Sequence, residues 1–454
     1  MEARQSMEER IVEWRQHLDR HPSIHHVDTE ELEDHLRSQI DALLEVDLDE
    51  EEAFLVAVKR LGDTHSLSRE FAREYSERLW KQLLPSGPDA EPSTATKDSF
   101  IAVGLAVGAA AAIKIPQLFG VEFGDDPGDA SFYARHISLL ILPFVAALFA
   151  IKRGFDQRTT YLLTAPFVAS AVLMNVIPFY QLGSTELLAA IHLPIALWFA
   201  VGYAYVGGRW RNHVQRMNFV RFTGEWVIYL ALIALGGGVL TGFTVLLFES
   251  IGLDTEPFIT TWLIPCGVAG AMVISSWLVE AKQSIIENMA PVLTRLFTPL
   301  FTVLLLSFIV ANIVSGSAIL VDRDVLIGFD LLLVLILGLL LYSISARDPE
   351  APPNLFDKLQ FLLVVSALIV DGLALWAIAM RISEFGFSPN KVAALGENLI
   401  LLVNLGWSAV LSARFLFKRV PFATLERWQT AYLPVYPIWA AVVAVLFPVL
   451  FNFR

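Results

Sequence analysis

Four ionisable side chains lie inside stretches that are otherwise apolar: Lys114, His192, Asp330 and Asp371. Asn175, Asn312 and Asn404 are neutral polar companions in stretches of the same kind. A charge in such surroundings is costly, so these residues are functional candidates wherever the stretches cross a bilayer. The chemistry open to them is narrow. An ammonium and a carboxylate at one depth can pair, and the pair can hold a substrate, pass a proton or tie two helices together. Lys114 is therefore expected to pair with Asp371 or Asp330. No H-E-x-x-H, no nucleophile motif and no pair of carboxylates at catalytic spacing occurs, and the chain has no P-loop. The one cysteine, Cys266, can form neither an intramolecular disulfide nor a multi-cysteine metal site. No catalytic, cofactor-binding or metal-ligating residue is assigned.

The elements that must position these residues are membrane spans. About 20 apolar residues in a helix cross a hydrocarbon core ~30 Å thick. Eleven stretches qualify: 100–119, 132–151, 161–180, 187–206, 226–248, 258–279, 297–316, 325–346, 359–380, 396–417 and 433–452. No alternating strand pattern appears, so helices are favoured over a barrel. With the N-terminus in the cytosol, the inner loops and span ends hold fifteen Lys and Arg residues and the outer side five. That is the bias the positive-inside rule requires. An odd number of spans then leaves the C-terminus outside. In this frame all seven intramembrane polar residues fall in the outer half. Lys114, Asn175 and Asn312 lie toward outer span ends, His192 and Asp330 near outer span starts, Asp371 just outside a midpoint, and Asn404 in the outer half of its span. The shared depth implies an outward-opening polar cavity.

Loops supply further candidates. Arg381-Ile382-Ser383-Glu384-Phe385-Gly386-Phe387-Ser388-Pro389-Asn390-Lys391 is a polar connector between two spans. Gly386 permits a turn there, Ser388-Pro389 can start the next helix, and Arg381 and Glu384 can pair. Glu122, Asp125, Asp126 and Asp129 form an acidic outer loop without EF-hand spacing. The basic run from Arg209 to Arg221 is expected to lie against anionic headgroups. Gly104/Gly108 and Gly238/Gly242 are G-x-x-x-G pairs, which mark close helix packing.

The N-terminal region differs in kind. Residues 1–98 carry twelve Lys and Arg against twenty-four Asp and Glu, so nearly all of the net charge of −13 sits there. Four amphipathic patterns fit into it. The first shows Ile11, Trp14 and Leu18. The second begins at Asp28 and carries Leu32, Leu36, Ile40, Leu43 and Leu44. The third carries Phe54, Ala57, Val58 and Leu61, and the fourth Leu67, Phe71, Tyr75 and Leu79. The reading is an acidic four-helix cytosolic domain over 1–84, a polar linker over 85–98 and a polytopic transmembrane domain over 99–454. His17, His21, His25, His26 and His35 crowd the first domain without a metal-ligand spacing. The first residues lack the apolar core of a signal peptide. The acidic balance argues against nucleic-acid binding.

Two resemblances follow from these residues. Glu31-Leu32-Glu33-Asp34-His35-Leu36, Glu52-Ala53-Phe54, Ala57, Leu61-Gly62-Asp63, Leu67 and Glu70-Phe71 resemble the HAAS-type, or permease prefix, helical domain. That resemblance implies a cytosolic regulatory or protein-interaction module on a bacterial membrane protein, with no catalytic role. The connector from Arg381 to Lys391, with Ala393 to Asn404 behind it, is similar to the bacterial membrane family catalogued as domain of unknown function 4153. It implies no activity, and Arg381, Glu384, Asn390 and Lys391 stand as a candidate loop site.

The fold class expected is all-α, a small cytosolic helical domain followed by about eleven transmembrane helices in a bacterial inner membrane. Three functions fit, in this order: a regulatory or sensory protein that meets a partner through residues 1–84, a transporter of a small solute through the polar cavity, or a membrane-embedded enzyme.

Overall fold

The computed structural model of the protein describes residues 94–453, apart from 125, 250–253, 282–288 and 316–322, together with scattered positions between Ile11 and Val58. The chain divides into two compact units, Met1–Ser93 and Thr94–Arg454. No β-strand occurs among the described residues, and the architecture is all-α.

In the first unit Ile11, Leu36, Ile40, Leu43, Ala53 and Ala57 share one apolar cluster. Leu36, Ile40 and Leu43 belong to the stripe that helical spacing predicts. Glu33 and Arg37, one turn apart, form an ion pair at 2.9 Å. The fourth helical pattern, from Leu67 to Leu79, and the five histidines lie outside the described residues.

The second unit contains eleven segments long and apolar enough to cross a membrane. Its helices are α1 (Thr94–Ala112), α2 (Pro127–Arg153), α3 (Gln157–Val176), α4 (Ser184–Tyr205), α5 (His213–Glu249), α6 (Ile264–Ala281), α7 (Met289–Ser315), α8 (Arg323–Ala346), α9 (Leu355–Phe385), α10 (Pro389–Leu416), α11 (Ala423–Tyr432) and α12 (Val435–Leu450). One π-helical turn, Ile259–Leu263, leads into α6. The last two helices make one span, because Pro434 between them keeps helical dihedrals. α1 begins at Thr94, inside the stretch 85–98 that reads as a linker, so the helix extends before its apolar part.

Local chemistry sets the helix ends. Asp126 caps α2 by accepting from the amides of Gly128 and Asp129, with Pro127 in the first turn. Asn354 and Asp357 form a capping box at the start of α9. That helix ends at Gly386, whose φ of 71° suits a residue without a Cβ. Ser388 and Pro389 then open α10.

Burial inverts the pattern of a water-soluble protein. Phe100, Leu118, Val176, Ile313 and Trp376 are exposed, whereas Ser131, Glu186, Asn398 and Asn404 are buried. In lipid the apolar side chains gain nothing by turning inward, so packing and hydrogen bonds hold the helices together. The chain is a multi-pass membrane protein. α1 packs on α2 and α6, α2 on α4, and α4 on α12. A second group joins α7, α8, α9 and α10. α5 touches α4, α6, α8 and α11, and α10 meets α4 and α12.

Candidate intramembrane site

Where α4, α5, α8, α10 and α12 converge they line a partly open cavity of about 550 Å³. Its walls are mainly aliphatic and aromatic, with Trp198, Phe199, Phe219, Tyr342, Tyr436 and Trp439 among them. Two glycines let aromatic rings approach a facing backbone. A methyl at Gly396 of α10 would overlap the Trp439 ring, and one at Gly224 of α5 would overlap the Tyr342 ring. The rings thus pack directly against the backbone of α10 and α5.

Polar atoms on the wall lack partners. Tyr342 Oη, Tyr436 Oη and Trp439 Nε1 are buried without a hydrogen-bond partner. Buried polar groups are nearly always satisfied, so each such atom calls for an explanation. His192 also lines the cavity, with Nδ1 2.8 Å from the Leu188 carbonyl oxygen. Among the described residues Glu397 is the only carboxyl on the wall, and no Lys or Arg lines it. Among the described residues Glu397 accepts no hydrogen bond and joins no ion pair.

Behind Glu397 stand two more acids. Asn398 Nδ2 donates to Asp330 Oδ1 at 2.7 Å, joining α10 to α8. Asp330 lies close enough to repel both Asp371 and Glu397. Asp371 is 0% exposed, and both of its carboxyl oxygens lack a partner. The Asn398 side-chain oxygen is likewise buried and unpartnered. No group of three or more His, Cys, Asp or Glu residues is arranged to hold a metal ion among the described residues. A carboxylate without a cation in such a place is costly, so a proton or a bound cation must neutralise it.

Of the intramembrane residues singled out by sequence, the fold gathers His192, Asp330 and Asp371 around α10, which itself carries Asn404, and places Lys114, Asn175 and Asn312 elsewhere. Lys114 does not pair with Asp371 or Asp330. Its ammonium donates to the Thr261 carbonyl and sits 4.2 Å from the centre of the Trp262 ring. Lys114 lies just past the end of α1, which packs on α6, and there it meets a carbonyl and an aromatic face of the π-helical turn that leads into α6. Asn175 donates to the Ala171 carbonyl and lies 3.1 Å from His136 Nε2. Asn312 is half-buried on α7. Asn404 ties α10 to α11, donating to Gln429 Oε1 at 3.0 Å.

The connector loop is a helix cap. Lys391 Nζ donates to the Gly386 carbonyl at 2.8 Å and reaches the Arg381 carbonyl at 3.4 Å, closing the end of α9. Asn390 donates to Ser184 Oγ at 3.4 Å. Glu384 is exposed, and no ion pair joins it to Arg381. Acids of the loop before α2 are also used locally: Asp126 caps the helix and Asp129 Oδ2 accepts from the Glu122 amide. Within the basic run Arg216 is buried, with Nη2 3.1 Å from His213 Nδ1, whereas Arg221 is exposed and donates to the Ser345 carbonyl. Of the G-x-x-x-G glycines, Gly108 packs under Phe144, while Gly104, Gly238 and Gly242 face open space.

Sequence reading missed Glu397. The signal was present, an acid beside Asn398 with a long apolar run behind it, but a span beginning at residue 396 puts Glu397 at the water boundary. The helix begins at Pro389, so Glu397 lies two turns inside.

Fold and site together define a polytopic α-helical membrane protein with an apolar, aromatic-walled cavity that carries one carboxyl among the described residues. No protein-family model, curated protein or solved structure matches the chain.

Proposed function

We propose that this protein is a membrane carrier for a small molecule with an apolar body. The cavity is the observation that carries this reading: about 550 Å³, apolar-walled, at the meeting of two helix groups, with unpartnered polar atoms on its wall. Ligand sites have this size and make-up, and carriers hold their substrates deep in the membrane between helix groups that can rock. The test uses purified protein in lipid nanodiscs and a neutral solvatochromic dye. Gly338 lines the cavity, and a side chain added there meets open space. Gly338→Phe should fill the cavity, abolish dye binding and stop dye movement across proteoliposomes. Unchanged binding in that variant overturns the carrier reading.

A second reading concerns the first unit. Its own apolar core, its acidic balance and its resemblance to the permease prefix domain support an interaction module acting on the membrane domain. We infer that it is cytosolic, in a bacterial inner membrane, and that eleven spans then put Arg454 on the far side. A pull-down from native membranes with wild-type protein and a form lacking residues 1–84 tests it. A partner held by the wild type and lost by the truncation supports docking, and identical company for both forms removes it.

A further inference from the structure

We propose that the ligand of this cavity is an organic cation, and that it binds in exchange for a proton on Glu397. The inference rests on the carrier reading and adds to it the charge of the ligand and the ion that couples to it. Three observations lead there. Glu397 is the single carboxyl on a wall without Lys or Arg, and it makes no hydrogen bond or ion pair among the described residues. Tyr342, Tyr436 and Trp439 line the space, and aromatic rings attract cations. Asp371, wholly buried, leaves both oxygens unpartnered beside Asp330, so the charge behind Glu397 is also acid without base.

The titratable groups around Glu397 come from every neighbouring helix. Asp330 faces it from α8, with Asp371 behind from α9. His192 faces the same cavity from α4 and Tyr436 from α12. Tyr432 of α11 donates to the Ile400 carbonyl, one turn along α10. Lys391, higher on α10, is engaged with backbone carbonyls and offers no counter-charge. The empty site therefore needs a proton on Glu397. When a cation enters, the carboxylic acid O–H bond breaks, the proton leaves to water, and the carboxylate faces the ligand's positive centre. One positive charge replaces another, so the net charge of the site stays constant.

The test measures binding of tetraphenylphosphonium, a cation with an apolar body, beside the neutral dye, to the full chain in nanodiscs. Tetraphenylphosphonium should bind about tenfold more tightly for each unit of pH rise, and one proton should appear in weakly buffered solution per cation bound. Glu397→Gln should lose at least tenfold in cation affinity and all of the pH dependence while still binding the neutral dye. If wild type binds the dye but ignores the cation, or binds it without proton release, the exchange idea is wrong and the carrier reading stands. If neither probe binds, both fall. The wild-type proton count decides the matter even if Glu397→Gln does not fold.

Discussion

Glu186 and Asp371 are both 0% exposed, and each sits on a helix long enough to cross a membrane. Around Glu186 the fold has placed every partner the charge needs. Arg135 lies 3.0 Å from its Oε1, Ser131 Oγ donates to the same oxygen, and the Leu182 amide donates to Oε2 at 2.6 Å. Around Asp371 it has placed none. The first acid is a fixed joint between α2 and α4, and its ionised form is built into the structure. Asp371 belongs to a group that must borrow its neutrality from something mobile. In a low-dielectric interior the distinction separates architecture from chemistry, because a paired charge gains by staying and an unpaired one gains by changing state.

Substitutions can break or sharpen this comparison. The largest effect is expected at Glu186→Ala, which leaves the half-buried Arg135 charge without its acid and the Ser131 hydroxyl and Leu182 amide without their acceptor. A loss of about 3–5 kcal/mol should appear in denaturant unfolding in detergent. A smaller loss, about 1–3 kcal/mol, is expected for Gly396→Ala, since the Trp439 ring must shift to admit a methyl. The same variant should also weaken binding in the cavity, which separates wall shape from global stability. Asp371→Leu should cost less than about 1 kcal/mol or raise the thermal midpoint, because no native hydrogen bond is lost. If it destabilises as much as Glu186→Ala, the contrast between the two acids collapses.

The smallest effect concerns an acid outside the spans. Asp156 caps α3 by accepting from the Thr159 amide at 3.1 Å. Hydrogen bonds from Thr159 hold its carboxyl below the usual carboxylate range. A folded-state value below the unfolded one gives stability that is present above the ordinary carboxylate pKa of about 4 and lost as pH falls through the folded value. The protection of the Thr159 amide against hydrogen exchange, taken relative to its intrinsic rate at each pH, should therefore fall between pH 5 and pH 3, and Asp156→Asn should flatten that dependence. An unchanged profile would show that the cap contributes nothing to the helix end.

Much of this fold was legible residue by residue. Eleven spans were expected and eleven are present, most of them bounded within a few positions, since hydropathy sums over neighbours in sequence and a membrane reads the same sum; the spans expected from 226, 396 and 433 begin earlier, at His213, Pro389 and Ala423, where the helix runs on through polar residues. The α9–α10 connector was legible for a similar reason: Gly386, Ser388 and Pro389 act on their own backbone. The site was legible only in part. His192, Asp330 and Asp371 were flagged as ionisable groups in apolar runs, and Glu397 was passed over because its depth depends on where α10 begins. Lys114 and Asp371 share a depth in the chain's order, yet they reside on helices that pack with different neighbours.

By itself the sequence determined that this is a helical membrane protein of about eleven spans with an acidic leading segment, and which few polar residues lie within the apolar runs. Both follow from the cost of moving single groups between water and hydrocarbon. Only the tertiary structure decided that Glu186 is paired and Asp371 is not, that Lys114 turns to a carbonyl and an indole, and that a cavity opens beside Glu397. Those outcomes depend on which faces of distant helices meet. Distances between side chains on separate helices are set by packing, which no local sum over the chain contains.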